Sequence, residues 1–191
     1  MHFAGVFKSW LPLAVAVTGL CGLVYATVQQ NYRQSLNDPQ IQMAEDAEIL
    51  LAHGAVPASV IPSGEKIDIA KSLAPFIAVY DKSGNVLESS GILAGAPPNP
   101  PRGVFEAARA NNGKDALQAY ENRVTWEPYP YVRQAIVVVA VPQTGQFVVA
   151  GRNMREVEER ESRLSLMIAL GWAVLIAATF VAKIIARWRV V

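Results

Sequence analysis

The spacing of charged residues divides the chain into two long apolar stretches and a mixed central segment. No charged side chain lies between Lys8 and Arg33, and the apolar stretch Ser9–Val28 contains 20 residues, about 30 Å as a helix. A second uncharged stretch, Leu164–Ala182, contains 19 residues. Since each is long enough to cross the hydrocarbon core of a bilayer, the pattern predicts two transmembrane helices.

These stretches define five segments: a tail (1–8), transmembrane helix 1 (9–28), a central domain (29–163), transmembrane helix 2 (164–182) and a second tail (183–191). The tails carry no acid, and their basic residues are Lys8, Lys183, Arg187 and Arg189. The positive-inside rule therefore predicts cytoplasmic termini and an extracytoplasmic central domain at the inner membrane of the cell. A cleaved signal peptide over residues 1–26 is the alternative for the first stretch.

The central segment opens with a helical pattern. Asp38 is suited to cap a helix and Pro39 to its first position. An apolar stripe follows and contains Ile41, Ala44 and Leu51, and the helix is expected to end at Gly54. Beyond a loop over residues 55–66, Asp68 could cap one helical turn that extends through Leu73.

From residue 74 the apolar period changes from that of a helix to that of a strand. The predicted strands are Ala74–Tyr80, Val86–Ser90, Leu117–Trp126, Val132–Val141 and Gln146–Gly151, with a short helix over Val104–Ala110. A long helix followed by a mostly antiparallel five-stranded sheet is an α+β fold.

The residues after the last strand predict a helix that is continuous with the second apolar stretch. Asn153 and Glu156 have the spacing of a capping box, and no helix breaker follows before the apolar stretch. Residues 153–163 are therefore expected to form a juxtamembrane helix that runs into transmembrane helix 2. It either conveys movement of the last strand across the bilayer or is only a connector.

Charge and composition exclude several classes of function. With 17 basic and 16 acidic residues the net charge is +1, so no basic field indicates a nucleic-acid partner. One cysteine and two histidines cannot form a disulfide or a typical zinc site, and we expect no metal and no cofactor. His53, the only histidine of the central segment, is expected near a helix C-terminus. Without a nucleophile–base pattern we do not expect an enzyme.

The candidate ligand-binding residues are aromatic and cationic residues around the end of one predicted strand, together with two arginines from the region of the short helix. Aromatic and cationic side chains that could hold a small anionic ligand such as a carboxylate are Arg102, Arg109, Trp126, Tyr129, Tyr131 and Arg133. The alternative is that the aromatic residues pack under loops and the arginines face water. Arg152, between the last strand and the helix, is expected to be a structural tether.

Small residues recur every fourth position in both apolar stretches. They are Ala14, Thr18, Gly22 and Ala26 in the first, and Ala169, Ala173 and Ala177 in the second. Such seams permit close helix packing in a bilayer, within the chain or with a membrane protein partner or a second copy in a homodimer.

Three segments carry a resemblance to a known family: residues 37–39 before a long helix, residues 74–84, and residues 150–152 before a charged helix. Together they resemble the extracytoplasmic PAS-like (PDC or Cache-type) sensor regions of bacterial histidine kinases and chemoreceptors. The resemblance implies a long helix, a five-stranded antiparallel sheet and a small ligand held against one sheet face. Because the chain ends nine residues after Ala182, we expect a relay through a partner; the alternative is an assembly factor that binds no ligand.

Overall fold

The computed structural model describes residues 3–35, 38–111 and 123–188. The helices are α1 (Phe3–Ser35), α2 (Asp38–Ala52), α3 (Pro57–Val60), α4 (Arg102–Ala110) and α5 (Arg155–Trp188). The strands are β1 (Ile67–Asp68), β2 (Phe76–Tyr80), β3 (Val86–Ser89), β4 (Gly91–Ile92), β5 (Arg123–Tyr129), β6 (Val132–Val141) and β7 (Gln146–Asn153). The contacts define two units, one of Met1–Arg33 with Glu158–Val191 and one of Gln34–Val157.

The second unit is built on a five-stranded antiparallel sheet in the order β3-β2-β7-β6-β5. The last strand in sequence, β7, is therefore the central strand. The expected α+β fold is confirmed, and β6 has both of its predicted ends. β-branched residues dominate β6 and favour the extended chain because they pack well on a pleated surface.

Helix α2 covers one face of the sheet. Its buried positions Ala44, Ala47 and Leu51 pack against strand residues that include Val137 and Val148. The helix ends at Ala52, and Gly54 has a φ of 90°, a conformation that glycine adopts without steric cost. The predicted apolar stripe is thus confirmed, and the helix ends two residues before Gly54. Apolar residues at helical spacing share one side of the helix, and this side packs on the sheet.

Helix α4 covers the opposite face of the sheet. Phe105 of α4 lies between Tyr80 and Phe147, with ring centroids 5.0 and 5.1 Å from its own. The Tyr80 hydroxyl donates a buried hydrogen bond of 2.7 Å to the Pro98 carbonyl. This bond ties the Pro-rich segment before α4 to the sheet.

Both edge strands of the sheet are irregular. Strand β3 has four residues, and its pairing with β2 shifts register between Val79 and Tyr80. Strand β5 contains Pro128, and its pairing with β6 shifts register between Trp126 and Tyr129. A proline has no backbone N–H to offer a further strand.

The segment before β2 contains one element that the sequence did not predict. The two-residue strand β1 pairs in parallel with β4, and this non-local pairing of Ile67 with Gly91 leaves no local signal in the sequence. The predicted turn capped by Asp68 is present. The Asp68 carboxylate accepts a hydrogen bond from the Ala70 N–H at 3.1 Å, and the Asp68 carbonyl accepts from the Lys71 and Ser72 N–H groups at 3.1 and 2.8 Å.

Strand β2 begins two residues later and β3 ends one residue earlier than predicted, and two strands extend beyond their predicted ends. The expected strand Leu117–Trp126 falls partly on residues outside the described part of the chain, and the strand described there is Arg123–Tyr129. Strand β7 continues beyond Gly151 to Asn153, because these two extra residues pair with Gln134 and Ala135 of β6.

The first unit contains two long apolar helices. Gly5–Asn31 and Arg155–Trp188 are long and apolar enough to cross a membrane, and almost none of either is buried. A core helix of a soluble protein of this length is instead covered by its neighbours. Both predicted stretches, 9–28 and 164–182, lie inside these helices, so the two-span layout is supported.

Candidate functional site

The structure does not bring the candidate ligand residues together. Arg109 lies over the Phe147 ring, 5.1 Å from its centroid, and Phe147 pairs with Ala140 of β6. Trp126 pairs with Gln134 of β6. The two β6 positions are six residues apart, about 20 Å along a strand. Arg109 and Trp126 therefore stand near opposite ends of the sheet, on its α4 side.

The other candidates have partners or face solvent. Trp126 is buried in the core beneath α4. Arg109 donates to the Lys82 carbonyl at 3.0 Å, and Arg133 lies 3.8 Å from Glu127.

The tyrosines and Arg102 complete this set. Tyr129 is half exposed, Tyr131 is 96% exposed in the turn before β6, and Arg102, the first residue of α4, is exposed. Tyr131 has a φ of 67°, unusual for a residue with a side chain. The predicted cluster thus consists of a packed tryptophan, two arginines with partners (Arg109 and Arg133), and the solvent-facing Arg102, Tyr129 and Tyr131.

The most connected polar group surrounds the junction between β7 and α5. Four main-chain carbonyls of residues 69–73 accept hydrogen bonds from side chains near this junction. The bonds run from Gln134 Nε2 to the Ile69 carbonyl (2.7 Å), from Asn153 Nδ2 to the Ile69 and Ala70 carbonyls (3.0 and 3.2 Å), from Arg155 to the Lys71 carbonyl (3.2 Å) and from Arg152 Nε to the Leu73 carbonyl (2.9 Å). We name residues 69–73 the junction loop.

Side chains also define the beginning of α5. Asn153 Oδ1 accepts a hydrogen bond of 2.9 Å from the Arg155 N–H, as a capping residue does. Glu156 accepts a hydrogen bond of 2.7 Å from Arg152. Arg152 therefore joins the junction loop to the first turn of α5, which matches its expected role as a tether.

Sequence reasoning identified Asn153 as a cap but missed the junction loop. The signal in the sequence is weak, since the loop contributes only main-chain carbonyls and any residue has one. The sequence offers one hint, an amide residue, Gln134, within a strand of mostly apolar residues. The structure buries this side chain fully, and a buried amide requires hydrogen-bond partners.

Among the described residues of the sheet unit, three carboxyl groups and one phenol have shifted pKa values. Hydrogen bonds from the Asn85 side chain and backbone hold the pKa of Asp81 below its usual range. Hydrogen bonds from Lys66 and Lys71 do the same for the pKa of Glu88 and of Asp68, respectively. Burial raises the pKa of the Tyr80 phenol. These groups stabilise turns and the core.

Within the first unit, α1 and α5 lie antiparallel and contact each other through long side chains. The hydrogen bonds join Trp10 to Thr179 (3.1 Å), Trp172 to Thr18 (2.9 Å) and Gln29 to Glu161. The Trp10 ring also meets the edge of Phe180, with centroids 5.3 Å apart. The residue numbers of the α5 partners decrease as those on α1 increase, so all three bonds belong to one antiparallel alignment of the two helices.

Of the predicted small-residue seam of α1, only Ala14 lies on the covered side among the described residues. The covered positions follow repeated steps of four, four and three residues: Val6, Trp10, Ala14, Val17, Cys21, Tyr25 and Val28. Thr18, Gly22 and Ala26 are exposed, although Thr18 bonds to Trp172. A strict four-residue repeat turns about 40° per step away from a fixed helix face, whereas steps of four, four and three average about 3.7 residues per turn and stay close to that face.

The same displacement occurs on α5. Ala169, Ala173 and Ala177 are exposed, and Ile168 and Ile176, one residue earlier than two of them, are partly covered. Apart from Ala14 and Thr18, these small residues therefore lie outside the contact between the two helices. They remain accessible from the surroundings of the helix pair.

Comparison with known proteins adds no relative. No protein-family model, curated protein or solved structure matches the chain.

Proposed function

We propose that this protein is a membrane-anchored, PAS-like sensory or interaction module whose sheet domain lies outside the cell membrane and which relays to a partner membrane protein. The observation that carries the proposal is the connection between β7 and α5. The central strand ends at Asn153, and α5 begins at Arg155 and continues to Trp188 through the second apolar stretch. A change in the position of β7 acts directly on a helix of membrane-spanning length.

The ligand-binding half of the proposal is tested by thermal unfolding of the full chain in lipid nanodiscs. Amino acids and organic acids are added one at a time, since the candidate cations suit a small anionic ligand. We expect one class of anion to raise the unfolding temperature, and Arg102→Gln or Arg133→Gln to reduce that shift. A screen in which no anion stabilises the protein contradicts ligand binding.

The relay half of the proposal predicts a helix–helix contact with another membrane protein. No heavy atom of the described residues lies within 4 Å of a Cβ placed on Gly22, and Ala173 is exposed. Small residues allow a further helix to approach closely. Gly22→Leu and Ala173→Leu should therefore weaken intermolecular crosslinks in membranes. Gly171→Leu, which also meets open space among the described residues but points elsewhere, is the matched control; equal crosslinking in all variants contradicts the contact.

A second candidate function, an assembly factor that binds no ligand, is favoured by exposed apolar side chains on the sheet unit. Ile49 and Leu50 at the end of α2 are each 51% exposed, and Val56 is 63% exposed. Single exposed apolar residues are common, but a contiguous apolar patch marks a protein contact site, and these three residues lie within eight positions of the chain. Under this alternative, Leu50→Lys abolishes co-purification with a partner without lowering the unfolding temperature, and the anion screen is negative.

A further inference from the structure

The junction loop is attached to the rest of the protein in an unusual way. Its main-chain carbonyls accept hydrogen bonds from side chains of the central strand pair and of the first residue of α5. Gln134 is fully buried and Asn153 is 5% exposed, so water cannot easily replace these bonds. The start of α5 and the loop are consequently one hydrogen-bonded group.

The loop is also part of the core on the α4 side of the sheet. Ile69 is 1% exposed and belongs to the apolar cluster that contains Phe76, Phe105 and Trp126. Its N–H donates to the Ile92 carbonyl at 3.0 Å. Any change in the packing beneath α4 therefore reaches Ile69, and its carbonyl is held by Asn153.

Asn153 performs two separable tasks. Its Oδ1 caps α5 by accepting from the Arg155 N–H, and its Nδ2 donates to two carbonyls of the junction loop. The amide side chain satisfies both because it has one acceptor and one donor group. An aspartate has the same shape and can still cap the helix, but it has no N–H for the loop.

We propose that the junction loop is a latch that holds the first turn of α5 in its helical position, and that the state of the core beneath α4 is passed to α5 through this latch. The inference rests on the proposed function and adds the conformational element through which the relay begins. Gln134, Arg152, Asn153 and Arg155 are its positioning residues.

Hydrogen exchange of the full chain in nanodiscs, without any ligand, tests the latch. Asn153→Asp keeps the cap and removes the donor to the loop, so we expect about tenfold faster amide exchange both in the junction loop and in the first turn of α5. The amides of β6 and β7 should keep their slow exchange, which shows that the domain remains folded. Gln146→Glu, the same change of an amide to a carboxylate at the opposite end of β7, keeps the acceptor for the Thr144 hydroxyl. It is the matched control and should leave both segments unchanged.

A second variant approaches the latch from the loop. Ala70 contacts the α5 junction through its carbonyl, and Ala70→Gly loosens the loop backbone without altering any residue of α5. We expect exchange in the first turn of α5 to rise here too.

If Asn153 is only a helix cap, Asn153→Ala accelerates exchange in α5 and Asn153→Asp does not. Unchanged exchange in α5 for Asn153→Asp or for Ala70→Gly overturns the latch. That result leaves the anion screen and the crosslinking test untouched, so failure of the latch is distinguishable from failure of the proposed function.

Discussion

Gly151, in the middle of the central strand, has no room for a side chain. A Cβ placed there lies 2.6 Å from Phe76 Cε1 and 2.8 Å from Ile136 Cγ2. Both neighbours are buried in the core, so they cannot move aside without disturbing other contacts. We expect Gly151→Ala to lower the free energy of unfolding by about 1–3 kcal/mol through overpacking. This exceeds the gain of about 0.5–1 kcal/mol that alanine usually brings over glycine in a strand.

A matched substitution in open space should have the opposite sign. Gly103 lies in α4, and a Cβ added there meets no described atom within 4 Å. Gly103→Ala is expected to raise the free energy of unfolding by up to about 1 kcal/mol, because alanine is the better helix former. The pair separates a general effect of alanine from the collision at Gly151.

The assay is urea unfolding of the full chain in detergent micelles, followed by brief proteolysis at each urea concentration. The double variant identifies the collision: leucine lacks the Cε1 and Cζ atoms of Phe76, so Gly151→Ala should cost less in a Phe76→Leu background than in the wild type. An unchanged or higher stability of Gly151→Ala refutes the reasoning. An equal cost in both backgrounds refutes the assignment to Phe76.

Three further predictions concern polar contacts. Tyr80→Phe should lower the free energy of unfolding at neutral pH by about 1–2 kcal/mol because a buried hydrogen bond is lost. Burial raises the Tyr80 pKa, so the wild type should lose stability as the pH rises above about 10. The variant has no phenol to ionise at this position and should lose less. Since the Asn85 hydrogen bond lowers the Asp81 pKa, Asp81 stabilises the fold above about pH 4, and this contribution disappears as the pH falls through the lowered pKa; Asp81→Asn should flatten the acid side of the unfolding profile. Trp172→Phe should weaken the α1–α5 pair by about 0.6 kcal/mol in mixed-micelle unfolding, with no further loss when Thr18→Val is added.

Each of these three predictions can be contradicted by a specific result. Equal alkaline profiles for the wild type and Tyr80→Phe contradict the first, and an unaltered acid profile for Asp81→Asn contradicts the second. Additive losses for Trp172→Phe and Thr18→Val contradict the third, because two variants that break the same bond cannot each remove it again.

The elements with local causes could be predicted from the sequence. Val132–Val141 has a continuous β-branched pattern bounded by turn residues, and its strand has both predicted ends. The hairpin around Asp81 and the helix Arg102–Ala110 also follow from local chemistry. These segments need no distant partner to select their conformation.

The elements that depend on non-local strand pairing could not be predicted from the sequence. The pairing of Ile67–Asp68 with Gly91–Ile92 and the extension of β7 to Asn153 depend on strands elsewhere in the chain. For the candidate site, composition placed Arg109 and Trp126 together, but the strand register separates them. Most small residues of the two apolar stretches lie outside the contact between α1 and α5 because a four-residue repeat does not follow one face of a helix. Their contact with another chain stays a prediction.

The two irregular sheet edges matter for association between copies if the protein is held in a bilayer, as proposed. Diffusion in two dimensions would bring the sheet domains of neighbouring copies into repeated side-by-side contact. A long regular border strand would then act as a template for open-ended association. The shortness of β3 and the Pro128 interruption of β5 shorten that template, so the described sheet edges offer little to a neighbouring copy.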